Sequence, residues 1–318
     1  MAKSASETIK TLNDISLHKV HSPIKDVLIL GFMAGIFISL GDLFMMTTAV
    51  GTKEFLGPGV AALIGGISFS VGLLLVVYYG AQLFTSNVLA AVPWGAKRLT
   101  FKDMMFNWIL VYIANFAGSL FFAWFTIKTG LTFKNEAWIA NHFIAAGTAK
   151  TNLDFLAALL SGIGTNILVC MAVYMAVAAE DGAGKVLSIM MPVAAFVAIG
   201  FEHSIANMYI IPSGIMHLQY YLDGGMGLAE VAHLTHVSVE ALKNLNWYGF
   251  LVTNEIPVTI GNIIGGALFV GWLNWICHGR DTHSDKTIQN RHDKTARMGS
   301  KAQDAKHHQE RQLDELVS

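Results

Sequence analysis

The sequence predicts an all-α membrane protein with six transmembrane helices, built as two inverted three-helix repeats whose second and fifth helices are broken. Hydrophobic residues make up 53% of the chain and charged residues only 14%, and the mean hydropathy is +0.50. This composition is typical of a polytopic membrane protein rather than a soluble one. The 318 residues accommodate about six spans joined by short loops. Two apolar stretches with related polar interruptions supply the third observation.

The apolar stretches place the spans along the chain and leave polar segments around them. The spans are predicted at about residues 27–50, 58–92, 104–127, 155–179, 186–215 and 249–277. Polar loops are predicted at residues 128–151 and 219–247. A transmembrane domain therefore covers residues 26–277, between an N-terminal segment, 1–25, and a polar C-terminal tail, 278–318.

The two ends of the chain are polar and differ in pattern. In the N-terminal segment Ile9, Leu12 and Ile15 recur at helical spacing, which predicts a short amphipathic helix at the membrane surface. An interfacial anchor is the main interpretation and a gating lid the alternative. The tail carries intermixed charges and is predicted to be a solvated extension. Its histidines lack fixed ligand spacing and predict no metal site: His278, His283, His292, His307 and His308.

Three single residues and the distribution of cations complete the outline. Asp42 lies near the far end of the first span and is expected at the membrane interface. Cys170 and Cys277 lie in apolar segments, which favours small core residues over a disulfide. Most Lys and Arg residues fall on the side that holds both termini, also when the tail is left out, so both termini are predicted to be cytoplasmic.

Glu202 and His203 interrupt the fifth apolar stretch near its middle. The run before them, residues 186–201, is too short at about 1.5 Å per residue to cross a hydrocarbon core roughly 30 Å thick. A charged residue at the centre of a membrane helix costs about 2.5 to 3.5 kcal/mol, so such residues normally face a cavity or a pathway. We therefore predict a helix broken near the midplane, with its break lining a route for a solute.

The second span contains a matching interruption, which indicates an internal repeat. Residues 80–87 read GAQLFTSN and residues 200–207 read GFEHSIAN, with Gly and Asn seven apart in both. The third and sixth spans also agree, since ANFAGSLFFAW at 114–124 resembles GNIIGGALFVGW at 261–272. Because three spans are an odd number, the second half enters the membrane from the opposite side. Paired interrupted helices in inverted halves point to a site at the midplane.

Each break starts a new half-helix, whose free N–H groups and positive dipole end favour an anion. Thr85 or Ser86 is expected to cap the first half-helix and Ser204 the second. His203 can carry a proton near neutral pH, and Thr85 can donate or accept a hydrogen bond. Glu202 is expected to hold free N–H groups at the break. Four asparagines are interpreted as contacts between helices rather than solute ligands: Asn115, Asn166, Asn207 and Asn262.

Large apolar side chains flank the breaks at Phe69, Leu73, Phe84 and Phe196. They suit the constrictions of a pore, and they are equally well explained as core residues. Between such side chains a bare anion loses several kcal/mol of solvation, whereas protonating a carboxylate of pKa about 4 at pH 7 costs about 4 kcal/mol. Since the two costs are comparable, a weak acid is favoured as the solute, and His203 could supply the proton.

The segments GAQLFTSN, GFEHSIANM and, at residues 256–266, IPVTIGNIIGG resemble the formate/nitrite transporter family over about residues 25–277. The resemblance implies an aquaporin-like fold, a homopentamer with a separate pore in each protomer, and a multi-pass position in the cytoplasmic (inner) membrane of a bacterium or archaeon. The segments are nearer to the formate branch than to the nitrite branch. Gln82, where formate members often have Asp, and the long charged tail depart from the family pattern.

The resemblance also implies roles for individual residues. Thr85 and His203 become the central pair of the pathway. Glu202 and Asn207 support the histidine and the half-helix after it. The remaining matches are four constriction positions and a basic residue near the periplasmic mouth, namely Phe69, Leu73, Phe84, Phe196 and Lys150.

The leading hypothesis is therefore a channel or transporter that passes formate, with or without a proton, across the bilayer. Nitrite is the runner-up, followed by hydrosulfide, acetate or lactate, because all are small monovalent anions that suit the same positive, narrow site. A water or glycerol channel is a more distant alternative, since paired Asn-Pro-Ala signatures are absent from the sequence. An enzyme is not predicted, because His203 and Glu202 are adjacent and would point to different helix faces. No cofactor, metal or nucleic-acid partner is predicted.

Overall fold

The computed structural model describes residues 2–279, and most of this part of the chain is helical. In chain order the helices are α1 (Ala5–Val20), α2 (Ile24–Ala49), α3 (Thr52–Tyr79), α4 (Phe84–Asn87), α5 (Ala91–Gly95), α6 (Phe101–Lys128), α7 (Lys134–Thr151), α8 (Phe155–Ala178), α9 (Gly182–Ile199), α10 (Ser204–Asp223), α11 (Leu228–Leu234), α12 (Val239–Leu242) and α13 (Gly249–Gly279). Short 3₁₀ turns cover Val88–Ala90 and Leu131–Phe133. The histidines of the tail beyond His278 lie outside the described residues.

Six of the helices in residues 2–279 are long and apolar enough to span a membrane, namely α2, α3, α6, α8, α9 and α13. This confirms the predicted all-α fold with six spans. The longest regular α-helical segment of α13 is Ile256–Ile263, with π-helical turns before and after it. Such turns are uncommon and often lie near functional sites.

The second and fifth spans break at equivalent glycines, as predicted. Gly80 follows α3 with φ +75°, and Gly200 follows α9 with φ +87°. The next N–H after each glycine donates to a carbonyl five residues back, since Ala81 N bonds to Val76 O at 2.9 Å and Phe201 N to Phe196 O at 3.0 Å. This 6→1 bond is the Schellman helix end, which needs a left-handed residue that glycine adopts without strain. The same local chemistry therefore ends both helices.

The chain differs between the halves after the two breaks. In the first half it forms only α4, one 3₁₀ turn and α5 before the third span begins. In the second half α10 continues for 20 residues. The two halves therefore have the same structure at the breaks and differ in structure after them.

The packing of the long helices follows the repeat. In the first half α2 packs against α3 and α6, and in the second α8 packs against α9 and α13. Gly118 of α6 lies against the backbone of Phe32, and Gly265 of α13 lies against the backbone of Ile163, with no room for a Cβ at either glycine. Both glycines stand three residues after the asparagine of the repeated motif. The motif thus brings the first and third spans of each half into close contact.

The prediction of polar loops at 128–151 and 219–247 was wrong. The first segment forms α7, whose buried Ala140, Phe143, Ile144 and Gly147 follow the i, i+3, i+4, i+7 spacing of an amphipathic helix. Helix α7 packs against α10. The second segment contains the end of α10, α11 and α12. A moderately polar composition concealed these helices because they pack on protein rather than on lipid.

Helix α1 is docked on the other helices. Ser4 and Glu7 form a capping box at its start. Ile9 and Leu12 are buried, whereas Ile15 of the same predicted stripe is exposed. The helix packs against α8, α5 and the end of α13. Nearby, Cys277 is exposed in the protomer and Cys170 is buried, so the expected core position is right for Cys170 alone.

Candidate solute pathway between the broken helices

The two breaks meet at Thr85 and His203, the predicted central pair. Thr85 Oγ1 and His203 Nε2 lie 2.9 Å apart, and both residues are buried. Thr85 belongs to α4 after the first break, and His203 directly precedes α10 after the second. The two breaks thus face each other through a hydroxyl and an imidazole.

His203, rather than the predicted Ser204, is the N-cap of α10. Its Nδ1 accepts a hydrogen bond from the Ala206 N–H at 3.1 Å. Nδ1 must therefore be unprotonated in this arrangement, so the neutral ring carries its proton on Nε2 and donates it to Thr85 Oγ1. Protonating Nδ1 as well would remove the cap. The prediction that Ser204 caps this helix was wrong.

Repeat-related asparagines hold the first N–H of each new helix. Asn115 Oδ1 accepts from the Phe84 N–H at 2.8 Å, and Asn262 Oδ1 accepts from the Ser204 N–H at 2.9 Å. Side chains of α6 and α13 therefore accept the hydrogen bonds that Thr85, Ser86 and Ser204 were expected to accept. The prediction of a local cap was thus wrong in the first half as well.

The amide nitrogens of the same asparagines complete two matching clips. Asn115 Nδ2 donates to Gly31 O at 2.8 Å and Gln82 O at 2.9 Å. Asn262 Nδ2 donates to Gly162 O at 2.8 Å and Glu202 O at 3.2 Å. Each clip joins the first span, the break and the third span of one half. The interpretation of these asparagines as contacts between helices fits this geometry.

Glu202 holds side chains rather than the backbone N–H groups that were expected. Its carboxylate accepts from Lys150 Nζ at 2.8 Å, Asn207 Nδ2 at 2.7 Å and Asn254 Nδ2 at 3.3 Å. The ion pair with Lys150 is largely buried. One cation and one anion therefore stand side by side next to His203.

The first break contains a counterpart of this cluster in which an amide, Gln82, takes the place of the Glu202 carboxylate. Gln82 Oε1 accepts from Asn87 Nδ2 at 2.6 Å, and the same amide donates to Asn107 Oδ1 at 3.1 Å. In the second half Asn207 Nδ2 likewise donates to Asn254 Oδ1, at 2.7 Å. Lys19 of α1 donates from Nζ to Asn87 Oδ1 at 3.2 Å.

Asn107 and Asn254 were not predicted from the sequence, although the repeat marks them. Each stands eight residues before the clip asparagine of its own half, Asn115 or Asn262. Extending the comparison of the third and sixth spans by about two helical turns towards their starts would have found the pair.

A cavity of about 410 Å³ leads from one face of the protein to His203. We call it the vestibule. It is lined by the second half of α2, the first half of α3, α7 and the second break, and it includes Lys150, Glu202 and Asn207. Because α2 starts beside α1, the vestibule opens on the face opposite to α1.

Three rings form the inner end of the vestibule. The ring centroids of Phe69 and Phe196 are 5.7 Å apart, and those of Phe196 and His203 are 6.0 Å apart. Two predicted constriction residues thus stand directly in front of the central histidine. All three rings line the vestibule, so a solute that reaches His203 from this face lies against apolar rings.

Leu73 and Phe84 do not line the vestibule as the structure describes it. Leu73 is buried. Phe84 packs edge-on against Tyr112, with centroids 4.9 Å apart, and it lines a separate lateral cavity of about 320 Å³. Their assignment as constriction residues stays a prediction.

Asp42 does not lie at the membrane interface, and that prediction was wrong. The residue is fully buried and lines the vestibule. A place near the end of the first span suggested a place near the surface, but the cavity extends beside the helix to that depth.

A sequence model described as "Formate/nitrite transporter" matches residues 6–276. The chain belongs to the formate/nitrite transporter family. Members of this family transport solutes and are not enzymes.

Named relatives in this family cover most of the chain. A protein of Methanothermobacter thermautotrophicus named probable formate transporter is 36% identical over 86% of this chain and 96% of its own length. Formate channel FocA of Escherichia coli (strain K12) is 38% identical over 79% of this chain and 86% of its own length.

Solved structures of family members share the fold. One, described as "Pentameric formate channel with formate bound", superposes with a TM-score of 0.71 at 34% identity and covers 80% of this chain and 97% of its own. A second, described as "FNT family ion channel", gives a TM-score of 0.67 at 24% identity over 86% and 98% of the two chains, and shows the fold alone.

Proposed function

We propose that each protomer passes formate across the membrane along the vestibule, between Phe69 and Phe196, and past the Thr85–His203 pair. The observation that carries the proposal is the buried contact between Thr85 Oγ1 and His203 Nε2 where the two breaks meet. The names of the relatives, formate channel and formate transporter, support formate as the solute.

The vestibule offers a small carboxylate a cation before it reaches the rings. Lys150 lines the cavity beside Glu202, so its charge is partly compensated and attracts an anion without trapping it. At the rings the anion loses solvation, and neutral formic acid passes at a cost of about 4 kcal/mol for protonation at pH 7. The solute thus enters as an anion along the charged wall of the vestibule and continues as a neutral acid past the apolar rings at its inner end.

His203 contributes in two ways that experiments can separate. In the neutral ring the Nε2–H serves as a hydrogen-bond donor to the solute in place of Thr85 Oγ1. To transfer a proton and remain neutral, the ring must first be protonated at Nδ1, which costs the α10 cap, about 1 kcal/mol, and also places a charge in a buried site, at several kcal/mol. The neutral ring thus supports passive binding, and the doubly protonated ring supports proton-coupled passage.

The test measures formate uptake and proton movement together in proteoliposomes, with labelled formate and an internal pH indicator. His203→Phe is expected to abolish formate uptake or to change its pH dependence grossly. His203→Asn, which keeps an N-cap acceptor without a titratable ring, separates capping from proton transfer. His233→Phe, at an exposed position of α11, is the control. Unchanged uptake and pH dependence in His203→Phe would remove the histidine from the mechanism.

Nitrite and hydrosulfide are the alternative solutes, because each is a small monovalent anion of a weak acid. Competition of unlabelled nitrite and hydrosulfide with labelled formate, at several pH values, ranks the three. Osmotic swelling of the same vesicles in glycerol tests the neutral-solute alternative. Uptake of glycerol without uptake of formate would overturn the proposal.

We also propose a homopentamer in the cytoplasmic membrane with a pore in each protomer and both termini in the cytoplasm. The solved neighbour described as a pentameric formate channel supports the pentamer, and the distribution of Lys and Arg supports the orientation. In this orientation α1 is cytoplasmic and the vestibule opens outward. Native mass spectrometry tests the assembly, and labelling of single cysteines introduced at Ser4 and Glu240 tests the orientation.

A further inference from the structure

Asp42 is a buried carboxyl group that no contact in the structure explains. It is fully buried within α2 and lines the vestibule. Neither carboxylate oxygen has a hydrogen-bond partner within residues 2–279. An ionised carboxylate in such a place costs several kcal/mol. Burial therefore favours an Asp42 carboxyl group that either carries a proton or binds a ligand from the cavity.

Asp42 lies deep in the vestibule rather than at its rim. The neighbouring Gly41 is in contact with the backbone carbonyl of Phe69, and Phe69 belongs to the rings at the inner end. The side chain is thus near the depth at which a passing anion loses its water.

Among residues 2–279 no ionisable group forms an ion pair with Asp42, although the charge of Lys150 acts on it. The ionisable groups that face the vestibule from α3, α7 and the second break are Lys53, His142, Lys150, Glu202 and His203. Tyr209 of α10 is close enough to interact with Asp42 but does not line the cavity. Lys150 is paired with Glu202 at 2.8 Å, and Lys53 is exposed. Burial and the Lys53 charge lower the pKa of His142, which favours its neutral form. The Tyr209 hydroxyl is engaged with Thr126 Oγ1 at 3.3 Å.

A bound metal ion fits this environment poorly. Hard cations take six or more oxygen ligands in proteins, whereas the α2 side chains beside Asp42 in the cavity wall are Met45 and Met46. A single carboxyl group with apolar neighbours suits a proton better.

We propose that Asp42 is a protonatable solute-binding group of the vestibule, which binds the incoming monovalent anion when it carries a proton and repels it when it does not. The proposal rests on the proposed function, because it assigns a second contact on the same route. The proton comes from water on the vestibule face. The Asp42 hydroxyl donates a hydrogen bond to a carboxylate oxygen of the solute. When the proton passes to that oxygen, neutral acid leaves towards the rings and the Asp42 carboxylate takes another proton from the same face.

The test compares Asp42→Asn with wild type and with Asp26→Asn, which changes an exposed residue of the same helix. Initial formate uptake is measured while the pH is varied only on the vestibule face, and each variant is expressed as a ratio to wild type. The ratio cancels the titration of formate itself. Asn cannot ionise and keeps a hydrogen-bond donor.

The Asp42→Asn ratio is expected to stay at or below one in acid and to rise several-fold in alkaline solution, where wild-type Asp42 is ionised and repels the anion. The Asp26→Asn ratio is expected to stay flat. A flat Asp42→Asn ratio would overturn the proposal. So would a sodium-dependent uptake that Asp42→Asn removes, because it would show a cation site.

A measurement without transport keeps this inference separate from the proposed function. Infrared difference spectra of the wild-type protein, recorded on changing the pH, are expected to show a carboxylic acid band that Asp42→Asn and Asp42→Ser both lose. Absence of such a difference would overturn the proposal even if a variant assembled badly. If the band is present and wild type carries no formate at any pH, the proposed function fails and the protonatable group remains.

Discussion

Thr85 and His203 are 118 residues apart in the sequence, yet Thr85 Oγ1 and His203 Nε2 lie within hydrogen-bond distance of each other. Neither half of the chain can build this contact alone, because each contributes one break and one of the two polar groups. A second hydrogen bond, from the Ala206 N–H to Nδ1, leaves the proton of the neutral ring on Nε2, where it faces Thr85. The pairing of the halves thus defines both the position and the chemistry of the centre.

Replacing Thr85 by Val should reduce formate uptake about tenfold, because the His203 Nε2–H loses its partner in a buried site, at a cost of about 1 to 3 kcal/mol. The loop should keep its place, since the Thr85 carbonyl oxygen accepts from Asn166 Nδ2 and Cys170 Sγ. Thr85→Ser keeps the hydroxyl and is the control. Uptake in proteoliposomes measures the effect, and equal rates for the two variants would contradict it.

Replacing Lys150 by Met should raise the formate concentration needed for half-maximal uptake, because the vestibule then keeps the Glu202 charge without its cation. Glu202→Gln should have the opposite effect, since it frees the ammonium group. Lys243→Met alters an exposed ion pair with Glu240 and serves as the control. If both variants shifted the formate concentration for half-maximal uptake in the same direction, the ion pair would act by stabilising the fold rather than by attracting the anion.

Replacing Gly118 by Ala should destabilise the protein by about 1 to 3 kcal/mol, because the added methyl group overlaps the backbone of Phe32. Gly182→Ala is the matched control in a helix, as no atom lies close to the added methyl group there. The midpoint of thermal unfolding in detergent, followed by the loss of the assembled protein, measures the difference. A Gly118 variant as stable as the control would mean that the α2 and α6 backbones are not in close contact.

The docking of α1 should tighten as the pH rises through the window from about 8 to 10.5. Burial lowers the pKa of Lys19 from its usual value of 10.5 to about 8, so the docked helix holds fewer protons than the undocked helix in this window. Because a state that holds fewer protons becomes more stable as the pH rises, docking of α1 is favoured increasingly across this window. Below pH 8 the docked Lys19 is charged, and the cost of burying its ammonium group is fully present. Hydrogen exchange of α1 amides, corrected for the intrinsic rate, measures docking at pH 7 and pH 9.

Lys19→Met should remove this pH dependence, because no ammonium is then buried against Ala81 O and Asn87 Oδ1. Lys10→Met on the same helix changes an exposed lysine and should leave it unchanged. Protection that falls with rising pH in the wild-type protein would refute the assigned direction.

The breaks could be predicted from the sequence because their cause is local. A glycine followed by polar residues inside an apolar run favours the end of a helix through its own local conformation. The two runs of this kind, at Gly80 and Gly200, indicated the repeat. The N-caps could not be predicted in the same way. The groups that satisfy Phe84 N and Ser204 N lie 31 and 58 residues away, so they become visible only after the third span of each half has packed.

Burial explains the other differences between prediction and structure. Position along a span does not tell whether a side chain faces lipid, protein or a cavity, so Asp42 was assigned to the interface. Helix α7 was missed because its apolar face packs on α10 and its composition stays polar overall. Both errors concern the vestibule wall, since Asp42 and the α7 residues His142, Ala146 and Lys150 line that cavity.

The two asparagine clips have a consequence for the origin of the chain. Each clip is made entirely by residues of its own half, so a single half contains what it needs to hold its break open. Two copies of such a unit, inserted in opposite directions and paired, would already bring two held breaks face to face. Duplication and fusion of one short gene would suffice to create this architecture. In the present chain Glu202 stands at the repeat position of Gln82 and His203 at that of Leu83, whereas Thr85 stands opposite Ile205, so the two central polar groups occupy different repeat positions in the two halves.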